Sequence, residues 1–149
     1  MAKLNEYKKM KITDICTYER AKKGKIYKTG NFCIQVSATK GQTIYLENDT
    51  EVDSKYLVFN VIDKNIHYPK YIYLVFMKDI SAFLRKMQTG LNILPEIFND
   101  YEIDVHQDIQ TQQQIAELYF VLDERIRQEE EIINDIVEFK KYHLCKMFC

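Results

Sequence analysis

Glycine is scarce in this chain. The four that occur among 149 residues, Gly24, Gly30, Gly41 and Gly90, are scattered, so no Gly-rich turn is available to cradle a phosphate ahead of a helix. That lack argues against a stand-alone methyltransferase, which needs such a turn after its first strand, and against kinase-like and P-loop enzymes. A GxSxG elbow and an HExxH helix are also missing, and His67, His106 and His143 stand in unrelated contexts. The expectation is a chain without catalytic residues. Four cysteines, Cys16, Cys33, Cys145 and Cys149, form no CxxC pair, and the charged start MAKLNEYKKMKI has no apolar stretch of the signal-peptide kind. Reduced thiols and a cytoplasmic location are expected. His143, Cys145 and Cys149 are close on a helix, but no fourth ligand has the spacing of a zinc site, so no metal is assigned. No apolar run reaches membrane-spanning length, and no membrane partner is expected.

What is present describes a folded protein. An apolar fraction of 46% with 11 Tyr and 8 Phe is enough for one domain with its own core. The formal net charge of −1 hides a division along the chain. Residues 1–40 hold ten Lys and Arg against Glu6, Asp14 and Glu19, whereas residues 96–138 hold thirteen Asp and Glu against Arg125 and Arg127. A basic portion beside an acidic one fits a protein that meets a polyanion with one part and protein with the other, although two solvated surfaces would look the same.

The middle of the chain has the signature of short strands. Asn31 to Ser37, Thr43 to Leu46, Tyr56 to Val61 and Tyr71 to Phe76 are rich in β-branched and aromatic residues and are bounded by turn formers such as Lys40-Gly41, Asn48-Asp49 and Tyr68-Pro69. They predict a small mixed sheet. Met77 to Gln88 has helical spacing and ends at Thr89-Gly90. A last strand or extended piece is expected at Asn99 to Val105, followed by Asp108 as the N-cap of a final helix.

That helix is the clearest element. From Gln110 to Cys149 there is no Gly or Pro, and apolar residues return every three or four positions. Alternating steps of four and three run through Ile115, Tyr119, Leu122, Ile126, Glu129, Ile133, Ile136, Lys140, His143 and Met147, a mostly apolar seam at coiled-coil period. Leu118, Ile132, Phe139 and Phe148 widen it. An amphipathic helix folded on its own domain shows similar periodicity, but about forty residues is long for that role. The pattern therefore changes near Gln107, with an α+β, mixed-sheet domain over 1–107 and one long helix over 108–149.

Two groups of residues in the domain have the chemistry of a DNA reader. Lys22, Lys23, Lys25, Tyr27 and Lys28 surround Gly24, where cationic side chains can hold phosphates, and Gln35, Ser37, Thr39, Lys40 and Gln42 place amides, hydroxyls and a cation about one turn. A Gln amide can meet the donor and acceptor of adenine together in the major groove. Arg85, Lys86, Gln88, Thr89 and Asn92 form a second such group about Gly90. Ser, Thr, Lys and Gly are also ordinary turn residues, so a plain hairpin turn at SATKGQ is the competing explanation.

Five segments together carry a family likeness. KITDIC (Lys11 to Cys16) resembles the opening strand of a target-recognition domain, and Lys22 to Leu46, with its IQVSATKGQTIYL, resembles a segment common in one group of such domains. FLRKMQTGLNI (Phe83 to Ile93) resembles the helix and turn before the last strands. QQQIAELYFVLDERI (Gln112 to Ile126) is similar to the EQxxIAxxLxxLDxxI start of the family's helix, and FKKYHLCKMF (Phe139 to Phe148) to its LKKxLLQKMF ending. In this order and spacing the chain resembles one half of the DNA-specificity (S) subunit of type I restriction-modification systems.

Two departures qualify the resemblance. Complete S subunits carry two target-recognition domains and two such helices where this chain has one of each. The proline usual before the EQ motif is absent from VHQDIQT (Val105 to Thr111), and Gln112 alone stands for the EQ pair. The resemblance implies a target-recognition domain at 1–107 and a dimerisation helix at 108–149. The helix would form an antiparallel coiled coil with that of a second copy, giving a homodimer that binds double-stranded DNA at a gapped site. It also implies partners: modification (methyltransferase) subunits, which bind S-adenosylmethionine and methylate adenine, and a restriction subunit where a nuclease is part of the system. No cofactor is expected in this chain. Two other readings stay open: an inactive or regulatory fragment that pairs with a full-length S subunit, and a coiled-coil interaction module with no DNA role.

Overall fold

The computed structural model of the chain describes residues 6–37, 41–87, 90 and 92–148. Strands β1 (Tyr7–Lys11) and β2 (Cys16–Arg20) flank a single helical turn, α1 (Ile12–Ile15), and are followed by β3 (Ile26–Tyr27), β4 (Phe32–Gln35), β5 (Thr43–Tyr45), β6 (Thr50–Glu51) and β7 (Tyr56–Val61). Helix α2 (Pro69–Met87), a 3-10 helix (Pro95–Asp100), β8 (Glu102–His106) and helix α3 (Ile109–Phe148) complete the chain. The class is α+β, as expected. The mixed sheet resolves into three antiparallel sheets among the described residues: four strands in the order β2-β7-β4-β5, and the pairs β1-β8 and β3-β6.

Aromatic side chains decide how the central sheet is covered. The register sets Tyr18 of β2, Phe59 of β7 and Phe32 of β4 in one row. Phe32 and Phe59 stack at 5.2 Å, and both lie 5.1 Å from Phe76 of α2. Phe98 of the 3-10 helix closes on Phe59 edge to face at 5.2 Å. Pairs of this geometry add about 0.5–1.5 kcal/mol each beyond the area they bury. Tyr101 then packs against Phe76, donates its hydroxyl to the Phe76 carbonyl at 3.2 Å, and so fixes the start of β8 against α2.

Three expectations need correction. Tyr71 to Phe76, expected as a strand, is the first half of α2. Its β-branched and aromatic content is real, but Ile72, Phe76, Ile80 and Leu84 recur every four residues and are all buried, while Pro69 occupies the first turn, where its missing N–H costs nothing. The opening strand expected at Lys11 to Cys16 is instead the turn α1, whose Ile12 and Ile15 are fully buried, with strands before and after it. Asn99 to Val105 is divided between the 3-10 helix and β8.

The chain divides into two compact units, residues up to Gln114 and residues from Ile115. The first therefore includes the start of α3. Asp108 caps it as expected, its Oδ2 accepting from the Thr111 N–H at 2.8 Å and from the Thr111 hydroxyl at 2.6 Å. Those bonds, the hydroxyl's first, hold the Asp108 carboxyl below the usual range. Gln112 is completely buried. Its Nε2 donates to the carbonyls of His106 (2.8 Å) and Ile66 (3.1 Å), and its Oε1 accepts from the Tyr68 N–H at 2.7 Å. One amide thus ties the helix start to the end of β8 and to the segment leading into α2.

The described residues of the second unit are helix, up to Phe148. Leu122, Ile126, Ile133 and Ile136 of the seam are 54–60% exposed. Arg125 pairs with Glu129 at 2.6 Å and Arg127 with Glu124, the one-turn contacts that support an exposed helix. Among the described residues, no helix is long and apolar enough to cross a membrane. Cys16 and Cys33 are buried in the first unit, where desolvation raises both thiols, Cys33 to about 12, whereas Cys145 of the helix is exposed.

Candidate nucleic-acid interface

At one end of the four-stranded sheet β2 and β4 finish while β5 and β7 begin, so several loops issue from the same edge. The Gln35 N–H donates to the Gln42 carbonyl at 2.8 Å, closing the base of the 37–42 loop, and Gln35 Nε2 donates to the Ser37 carbonyl at 3.0 Å. Gly41 has φ +84°, and a Cβ there would run into Leu84 of α2, so this turn needs glycine both for its backbone and for its fit. The Ile93 N–H donates to the Val36 carbonyl at 2.8 Å. That bond brings the segment containing Asn92 beside the Gln35–Gln42 loop. Two groups read separately in the sequence are therefore neighbours. Arg85 and Lys86 are exposed in the last turn of α2. Thr39, Lys40, Gln88 and Thr89 lie outside the described residues.

Arg20, at the end of β2, joins this edge together. Its Nε donates to the Ser54 carbonyl at 3.0 Å and its Nη2 to Ser37 Oγ at 2.9 Å, while the Val36 N–H donates to the Lys55 carbonyl at 2.9 Å. The sequence reading missed Arg20, Ser54 and Lys55. No local sequence pattern marks β2 as a strand, so the sequence alone does not show that Arg20 faces Ser37. The available signal was a lone arginine within the basic first forty residues.

The lysine group behaves differently from its sequence appearance. Glu19 binds both Lys25 and, at 3.6 Å, Lys22, and Asp49 binds Lys28 at 2.7 Å. The Lys25 hydrogen bond holds the Glu19 carboxyl below its ordinary range, and Lys28 does the same for Asp49. Both lysines shift upward in return. Such exposed pairs contribute little to stability and are screened by salt, so a phosphate can exchange for the carboxylate. Lys23 is exposed and, among the described residues, has no acidic partner. Tyr27 is buried, and its hydroxyl accepts the Lys22 N–H at 3.1 Å, which anchors the turn. The arrangement provides cations with amide and hydroxyl groups at one edge, a surface suited to charge and hydrogen bonding.

Comparison with known proteins gives these features a family. The family model described as type I restriction modification DNA specificity domain matches residues 18–138. The structure is similar to that of the type I restriction-modification system S subunit from M. genitalium, with TM-score 0.69 and 12% sequence identity. The match covers 85% of this chain and 41% of that one, so the chain spans less than half of the S subunit's length. No curated protein matches. With most of its length inside the family model, the chain belongs to the type I restriction-modification DNA specificity family.

Proposed function

We propose that this chain is a specificity component that recognises DNA as a homodimer and directs an adenine methyltransferase, with a nuclease where one is present, to a gapped site. The observation that carries this reading is a helix that follows the specificity domain and whose apolar seam, through Leu122, Ile126, Ile133 and Ile136, is exposed. A second copy would supply a helix to cover that seam and a second recognition surface. In this reading the edge formed by Gln35, Ser37, Gln42 and Asn92 contacts bases, and exposed cations such as Lys23, Arg85 and Lys86 contact phosphates. The chain performs no covalent chemistry, and S-adenosylmethionine belongs to the methyltransferase subunit.

Twofold symmetry has a direct consequence for the target. Identical chains present the same surface twice in opposite orientations, so the site is an inverted repeat. A helix of 40 residues is roughly 60 Å long at 1.5 Å per residue, which separates the half-sites by unread base pairs. Methylome sequencing with and without the gene tests the whole reading. One gapped, palindromic adenine motif should disappear with the gene. A contiguous or asymmetric motif, in cells where this is the only S-type chain, would exclude the homodimer.

A further inference from the structure

The two faces of the four-stranded sheet differ in character. One is sealed by the aromatic row and α2. On the other, Cys33 and Val58 form a small cluster with Tyr27 of β3, Val52 and Leu46, and Val58 and Tyr27 also line an open cleft of about 480 Å³. Its floor comes from paired strands, Thr17 and Glu19 of β2 opposite Asn60 and Val58 of β7. Residues two apart on a strand share a face, so a hydroxyl, a carboxylate and an amide point into the same space. Lys25 and Lys28 also line the cleft, with their charges answered by Glu19 and Asp49.

Two further groups mark the cleft as incomplete by itself. Lys64 lines it without an acidic partner among the described residues, and its Nζ is 3.7 Å from where a Cβ on Gly30 would lie. Asn31, only 7% exposed, also lines it, and its Oδ1 has no hydrogen-bond partner. A buried amide oxygen left unsatisfied is costly, so the wall of the cleft carries an unmet polar group. Lysine ammonium, threonine hydroxyl and asparagine amide are groups with which proteins hold nucleic-acid phosphates.

We propose that this cleft seats a phosphodiester group of a DNA strand. Lys64 supplies the charge, the Asn60 amide N–H donates to a phosphate oxygen, and the Thr17 hydroxyl turns from its 3.5 Å contact with the Asn60 carbonyl to donate to another. The proposal rests on the DNA-recognition reading above and deepens it: the loops at the sheet's edge read bases, and the sheet's open face holds the backbone.

The test uses the full chain and a labelled duplex of mixed sequence, titrated over a range of salt. Lys64→Ala should weaken binding several-fold at low salt for every sequence and lower the slope of log affinity against log salt by about 1. Asn60→Asp keeps the size and adds a negative charge, so it should weaken binding further. Both positions are exposed, and thermal melts of both variants should match the parent's. Parental slopes in both variants would remove the cleft from the interface and leave recognition by the loops intact. Absence of salt-dependent duplex binding by the parent chain, alone and with its methyltransferase subunits, would overturn the underlying reading as well. Inorganic phosphate separates the sources of the ligand. If millimolar phosphate shifts the Lys64 resonances and duplex does not, the cleft takes a free anion and the proposal fails.

Discussion

In the first unit Ile12, Ile15, Ile34, Ile72 and Ile103 are sealed from water, whereas in the helix beyond Ile115 the side chains of Ile126, Ile132, Ile133 and Ile136 are each more than half exposed. The same residue type is used to opposite ends. In the domain, isoleucine is buried where packed strands and helices converge. In the helix, three- and four-residue spacing gathers isoleucine on one side, with no second element of the unit to receive it. The domain satisfies its apolar surface by itself, and the helix unit leaves its own exposed.

The largest effect is expected on the exposed helix face, where the proposed dimer would pair. Ile126→Glu combined with Ile133→Glu should abolish self-association, because each isoleucine left in water forgoes about 1.5–3 kcal/mol and a dimer contains four of them. Sedimentation velocity checks this. A parent chain that stays monomeric with and without methyltransferase subunits would break the comparison between the units. The converse change lies in the domain: Phe59→Ala should cost about 3–5 kcal/mol in urea unfolding, since Phe59 touches Phe32, Phe76 and Phe98 and its removal leaves a cavity.

Smaller effects sharpen the comparison at the junction. Gln112→Leu leaves the Tyr68 N–H and the carbonyls of Ile66 and His106 without their partner and should destabilise the domain by about 1–3 kcal/mol in the same assay. Gln112→Glu should not restore stability, because a carboxylate has no N–H for those carbonyls. The smallest effect belongs to the cap. The Asp108 carboxyl is lowered in the folded state by the Thr111 hydroxyl and N–H, so its contribution is present above the unfolded carboxylate range and is lost as pH falls through the folded value. The difference in melting temperature between the parent and Asp108→Ala should therefore be seen at neutral pH and vanish in acid.

The long helix was legible because periodicity accumulates over many turns, and Tyr56–Val61 because its bulky residues lie between clear turns. Short elements carried too little signal. β1 reads YKKMK, mostly exposed, and its pairing with β8 is a contact between the two ends of the domain that no local pattern reveals. Tyr71 to Phe76 failed for a different reason: over six residues, an apolar run buried in a helix looks the same as one buried in a sheet. At the candidate interface, the clustering of Gln35, Ser37 and Gln42 could be read, as could the lysines about Gly24. The partners of those lysines could not, since Asp49 reaches Lys28 from beyond β5. Nor could the cleft, whose Thr17, Asn31, Asn60 and Lys64 meet only when β2, β7 and the segments beside them are assembled.

The uneven placement of the thiols makes the molecule selectively addressable. The thiolate is what attacks an alkylating reagent, so Cys16 and Cys33, buried and with their thiols raised by desolvation, should be inert while the fold is intact. Cys145 is open to solvent and lies about 200° around the helix from both His143 and Met147, on the side away from the seam. A maleimide probe there, with Cys149→Ser to keep the label single, would leave the pairing surface untouched. Spin labels at Cys145 in two associated chains would then give a distance that identifies parallel or antiparallel pairing directly, without removing a native side chain from either the domain's core or the seam.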